Sequence, residues 1–273
     1  MSRRQKFKPL LALGIAALLP FFVSETAWTE EGQESVGADT ASMVLIPAGP
    51  FLMGSRETEI QEALTAAREA HPEAALSFED EIPAHLVHVS AFLIDREEVT
   101  WEKFAPFAGR TVPPGGAKLP AMEATWDEAS SYCRGVGKRL PTEAEWEKAA
   151  RGTDSRLYPW GNHFDPLRLN SLERNLGRPS PPGSHPDGAS PYGVFDMAGN
   201  AWEWVADWYE ADYYQRAPER DPAGPKEGRK RVVRGGGWAY DRAFVRTANR
   251  ASFRPNHHHP TIGFRCARSV TSK

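Results

Sequence analysis

Residues 192–208 read YGVFDMAGNAWEWVADW, and the inner stretch DMAGNAWEW (196–204) crowds Asp196, Glu203, a Gly-Asn pair and two tryptophans together. Hard cations are held by oxygen donors. The carboxylates of Asp196 and Glu203, with the backbone carbonyls of Gly199 and Ala201, offer such a set. The same residues also read as two solvated loop acids, or as a carboxylate capping the turn before GNAWEW. Taken alone, the stretch leaves both readings open.

Upstream of it, residues 153–200 are punctuated by Gly, Pro, Asn and Ser so often that long regular elements are not expected there. Two helix starts precede that region. In TWDEASSYCRGVGKR, Thr125 and Glu128 form a capping-box pattern, with Ala129, Tyr132, Cys133 and Val136 on one face. In LPTEAEWEKAARG, Thr142 and Glu145 repeat the device and Gly152 supplies the stop. HLVHVSAFLIDREEVT (85–100) alternates as a strand, and Thr100 opens a short helix closed by Gly109. Residues 57–75 predict a surface helix, with Ile60, Leu64 and Ala67 at helical spacing. MVLIPAGPFLMGS (43–55) predicts a short strand pair at the start of the domain.

Residues 1–23 comprise a basic segment, MSRRQKFKP, and an apolar run from Leu10 to Val23, the layout of an export signal or an uncleaved signal anchor. At about 14 residues the run is short for a membrane-spanning helix, which needs roughly 20. Residues 10–23 remain a possible membrane tether, residues 24–42 read as a flexible tether, and residues 43–270 read as one domain. The expected location is the periplasm or the exterior. With Lys+Arg 33 against Asp+Glu 36 and no sustained basic stripe, nucleic acid is not an expected partner.

Downstream lie RVVRGGGW (231–238), NHHHP (256–260) and IGFRCAR (262–268). Imidazoles bind transition metals readily, and His257 and His259 are the pair in NHHHP to test for one. Three consecutive residues do not easily aim all their rings at a single ion, and a plain polar loop is the competing reading. No G-x-S-x-G or paired-carboxylate arrangement points to a hydrolase.

In this order, MVLIPAGPFLMGS, LIDREEVTWEKF, GKRLPTEAEWEKAARG, YPWGN, YGVFDMAGNAWEWVADW, RVVRGGGW and IGFRCAR resemble the formylglycine-generating enzyme family, the sulfatase-modifying factor domain. RLPTEAEWE and GNAWEW are its specific marks. The resemblance implies a single α+β domain with little regular secondary structure, distantly like the C-type lectin fold. It also implies that Asp196, Gly199, Ala201 and Glu203 hold calcium. At a second, degraded calcium site Asn170 and Ser171 match, whereas the expected acid falls near Arg174. Exported members pair a cysteine on the helix before GKRLPTEAEWE with the cysteine of GFRC, the positions of Cys133 and Cys266 here. Two cysteines behind an export signal favour a bridge independently.

The family's enzyme holds copper between two thiolates just after the glycine pair, which suits a soft Cu(I) ion. Aligned through RGGGW, those positions are Tyr240 and Val245, and a serine of the oxygen site is Gly237. Copper chemistry through thiolates is therefore not expected. The expected function is an accessory or maturation factor that binds an exported protein or peptide client in a groove around Trp202, Trp238 and Tyr240. The alternatives are an oxidoreductase with a different metal centre, His-ligated or near Tyr240, and a formylglycine-generating oxidase acting on sulfatase cysteine.

Overall fold

Thr125 and Thr142 each cap a helix as their spacing predicts. The computed structural model describes residues 42–270, so the export segment and all of the tether but Ser42 lie outside the described residues. Thr125 Oγ1 accepts the Glu128 N–H, and Thr142 Oγ1 accepts the Glu145 N–H, both at 3.2 Å. Both glutamates reach back to the cap N–H at 2.8 Å. These boxes start α3 (Trp126–Gly135) and α4 (Glu143–Arg151). Before them come α1 (Glu57–Ala70), shorter than the 57–75 pattern, and α2 (Trp101–Ala108), closed by Gly109 in the left-handed region.

The strands assort differently from the sequence reading. β1 (Met43–Ile46) and β2 (Gly49–Met53) do not pair with each other. The 85–100 pattern divides into β3 (His85–Val89) and β4 (Phe92–Asp95). β1 pairs antiparallel with β4, and β2 with β3, so the breaks at Pro47-Ala48 and Ser90-Ala91 let the chain change sheets. β9 (Ala267–Ser269) completes the first sheet beside β4. The largest sheet contains β5 (Trp202–Trp208), β6 (Arg231–Arg234), β7 (Arg250–Phe253) and β8 (Ile262–Gly263) in the order β7-β6-β5-β8, with β5 and β8 parallel.

Residues 153–200 contain only short 3-10 turns among loops, as their composition predicts. Tryptophans supply much of the packed area. Trp146, Trp202 and Trp204 are all fully buried. One core lies between β1–β4 and α4; a second joins α2, α3 and the largest sheet. Cys133 on α3 and Cys266 before β9 form a disulfide inside the second core, with Cα atoms 5.6 Å apart. Val136, expected on the inner face of α3, is instead the exposed cap residue of that helix.

Helix α4 is buried on every side, charged residues included. Glu143 receives Arg250 bidentately at 2.9 Å on each oxygen. Glu147 pairs with Arg151 and Arg234, and Lys148 donates to the Pro47 and Gly49 carbonyls. Burial of a charge is tolerated when paired and hydrogen-bonded in this way.

Candidate functional site

The DMAGNAWEW segment runs from a turn into β5. Asp196 and Asn200 both hold positive φ, and Gly199 lies between them at φ 75°. A side chain at Gly199 would bring its Cβ to 2.3 Å from the Asn170 carbonyl oxygen. Glycine is required there because this close approach joins the segment to Asn170, whose carbonyl accepts the Asn200 N–H at 2.7 Å.

The turn buries an acidic cluster. Asp196 is 6% exposed, and its Oδ2 accepts the Gly183 N–H at 2.6 Å. Glu203 is fully buried, and Arg265 clamps it through Nη2 at 2.6 Å and Nε at 2.7 Å. Trp146 Nε1 donates to the same carboxylate at 2.9 Å. Glu98 is the third acid, buried and bound by Asn200 Nδ2 at 3.0 and 3.3 Å. Burial, then repulsion from Asp196, pushes the Glu98 carboxyl well above its ordinary range, although Arg265 opposes both. Burial raises Asp196 to about 6 against the Gly183 N–H and Arg265, with Glu203 adding to the rise.

Glu98, Asp196 and Glu203 therefore share one guanidinium, that of Arg265, which is committed to Glu203. The excess negative charge suits a cation. Glu203, expected as a ligand with Asp196 and the Gly199 and Ala201 carbonyls, accepts from Arg265 and Trp146. Among the described residues no three His, Cys, Asp or Glu side chains converge as a metal cluster. Sequence reasoning missed Glu98 because nothing in REEVT marks its second glutamate as buried.

At the second expected site, Asn170 Nδ2 donates to the Arg178 carbonyl, Ser180 Oγ and Asn200 Oδ1, which leaves buried Oδ1 without a partner. That orphaned oxygen suits a cation. The neighbouring acid does not, since Glu173 accepts Ser171 Oγ at 2.7 Å and the Arg242 N–H at 2.7 Å.

The residues at the copper-thiolate positions are separated by environment. Val245 is fully buried among Tyr158, Leu169 and Ala198, and a Cβ on Gly236 would press to 2.6 Å from its Cγ1. Tyr240 instead stands edge-on to Trp202 at 5.4 Å in a cleft of about 420 Å³. Phe244 and Phe253 share that cleft with Tyr209 and Arg250. Trp238, expected in the groove, does not line it; its backbone N–H donates to the Asn200 carbonyl. His257 and His259 do come together, with ring centroids 5.6 Å apart, and both rest on Phe253 at 5.3 Å. His259 Nδ1 faces Thr261 Oγ1 at 2.9 Å, and burial lowers the His259 pKa, with His257 contributing in the same direction.

The sequence matches the domain family described as sulfatase-modifying factor enzyme 1-like over residues 29–270. It is 30% identical over 314 residues to the formylglycine-generating enzyme of Streptomyces coelicolor, covering 89% of this chain and 94% of that protein. It is also 35% identical over 275 residues to the serine/threonine-protein kinase pkn1 of Chlamydia caviae. That match covers 89% of this chain but 41% of the relative, so the chain spans about two fifths of that longer protein. Among solved structures, PvdO from Pseudomonas aeruginosa superposes with a TM-score of 0.67 at 26% identity, covering 84% of this chain and 94% of that one. With all of the described residues inside the family match and a similar fold in a solved relative, the chain belongs to the sulfatase-modifying factor enzyme 1-like family.

Proposed function

We propose that this chain is an accessory, client-binding member of its family without copper-thiolate oxidase activity. One observation carries the reading: the chain has two cysteines and both are consumed in the Cys133–Cys266 bridge, while Tyr240 and Val245 stand at the thiolate positions. A phenol and a hydrocarbon do not replace paired thiolates for Cu(I). The cleft beside Tyr240 needs no metal, so recognition of a client outlasts the loss of chemistry. The client is an exported protein or peptide, in keeping with the export layout of residues 1–23.

The test is incubation with Cu(I), oxygen, reductant and a sulfatase-type cysteine peptide. The expected result is no aldehyde above a heat-killed control; catalytic turnover overturns the reading. Calcium is the structural cation of this proposal, held by Asp196 and the Gly199 and Ala201 carbonyls, and it supplies charge neutralisation inside the acidic cluster.

A second reading is an oxidoreductase with an imidazole-held metal. Its support is the proximity of the His257 and His259 rings beside Phe253, which also lines the cleft. Purified protein would then lose bound transition metal in the His257→Ala, His259→Ala double variant. Equal metal content in wild type and variant removes this reading.

A further inference from the structure

The loop from Asp165 to Gly188 leaves apolar side chains in water. Leu167 is 66% exposed, the highest value among the large apolar side chains of the described residues, and Leu172 and Leu176 are exposed by 48% and 45%. All three fall within ten positions. Single leucines scattered over a surface are ordinary, whereas a group held together marks an interaction site. The backbone beneath them is pinned. Leu172 N–H donates to the Tyr240 carbonyl at 2.9 Å, and the Arg178 carbonyl accepts Asn170 Nδ2 at 3.0 Å. At the far end, a Cβ on Gly188 would come to 1.8 Å from the Arg168 carbonyl oxygen, so the two sides of the loop are in backbone contact.

The charges interleaved with these leucines are unevenly matched. Asp165 accepts Arg168 Nε at 3.1 Å, and Glu173 accepts Ser171 Oγ and the Arg242 N–H. Arg174 is half-buried and Arg178 exposed, and neither guanidinium has an acidic or hydrogen-bonding partner among the described residues. Burial, then Arg174, lowers the pKa of His185 against the Leu167 backbone, which also brings Leu167, Arg174 and His185 to one place. His185 is therefore neutral at neutral pH, and Arg174 and Arg178 supply the loop's unmatched positive charge. Exposed Asp187 opposes them as the loop acid without an ion pair among the described residues.

We propose that this loop docks on an anionic lipid bilayer, with its leucines entering the boundary between headgroups and acyl chains and Arg174 and Arg178 binding lipid phosphates. Apolar burial and attraction to anionic lipid act together at such an interface. A guanidinium also matches phosphate in geometry as well as charge. An apolar groove on a protein partner is disfavoured, because it would desolvate both guanidiniums without a counter-charge. The assignment draws on the export or anchor layout of residues 1–23, which directs the chain to a membrane, and not on the client-binding reading.

The experiment is hydrogen–deuterium exchange of the full chain at low salt, read by mass spectrometry, with vesicles of phosphatidylcholine alone or mixed with phosphatidylglycerol. Peptides from 165–188 report this surface separately from any contact of the N-terminal segment. The expected result is slower exchange in that stretch with the anionic vesicles only. Arg174→Gln with Arg178→Gln should raise the lipid concentration at half-protection about tenfold or more, the scale of two cations lost from a charged surface. Leu167→Ser with Leu172→Ser, at exposed positions, should raise it as well. Protection that is absent, equal on both vesicle types or unchanged in both variants overturns the proposal. Protection reproduced by inorganic phosphate alone also overturns it, since the arginines would then serve a free anion.

Discussion

The carboxyl of Asp207 is 2% exposed and accepts the Glu143 N–H at 2.8 Å. Burial, then the nearby Glu143 carboxylate, drives its pKa well above the ordinary range. The sign of the consequence follows from proton binding. Above pH 3.8, the unfolded carboxyl releases its proton before the folded one does, so this group removes stability as pH rises through that window and leaves the penalty in place above the folded pKa. Asp207→Asn mimics the neutral form and keeps an acceptor for Glu143. Its melting temperature should exceed that of wild type at about pH 8 and match it near pH 4. A variant less stable than wild type at both values would show that the charged form is required. Nothing in WVADW distinguishes this acid from a solvated one. The same holds for Glu143 and Glu147, whose arginine partners Arg250 and Arg234 are 107 and 87 positions away.

At the scale of elements, what could be read locally in the sequence was present, and what depended on distant pairing was not. Thr125 and Thr142 announce α3 and α4 because a capping box is a four-residue device. The two halves of MVLIPAGPFLMGS instead choose partners in separate sheets, a choice made by β3, β4 and β9 rather than by the residues between them. The acidic cluster was half legible. Asp196 stands in a recognisable motif, whereas Glu98 reaches it only because Asn200 binds across 102 positions. The Cys133–Cys266 bridge was expected from the family resemblance, and it fastens α3 to the strand end before β9 across a separation of 133 residues. Closing so long a loop restricts the unfolded chain, worth about 4–5 kcal/mol in the chain-entropy model. The Cys133→Ser, Cys266→Ser variant should therefore unfold at markedly lower denaturant with an altered slope, since its unfolded state is less compact. Identical midpoints for wild type under reducing and non-reducing conditions would assign the bridge no such role.

For the molecule as a whole, the deciding quantity is the uncompensated charge inside the turn that precedes β5. Glu98 comes from a part of the chain distant from the segment that holds Asp196 and Glu203, and the three acids share the field of Arg265. A cation bound there by the folded state alone raises stability by mass action. Chelation with EGTA should lower the melting temperature of wild type, re-addition of calcium should restore it, and Asp196→Ala should be indifferent to both. The effect carries its own pH signature. Without the ion, the Asp196 carboxyl is raised to about 6 from 3.8, so the apo fold loses stability as pH climbs through that interval. Calcium needs the carboxylate form and relieves that loss. The chelation-induced drop should thus be full above about pH 7 and should vanish near pH 5, where the folded carboxyl keeps its proton. A melting temperature insensitive to chelator at both pH values, in wild type and variant alike, would mean that protonation rather than a cation neutralises the cluster.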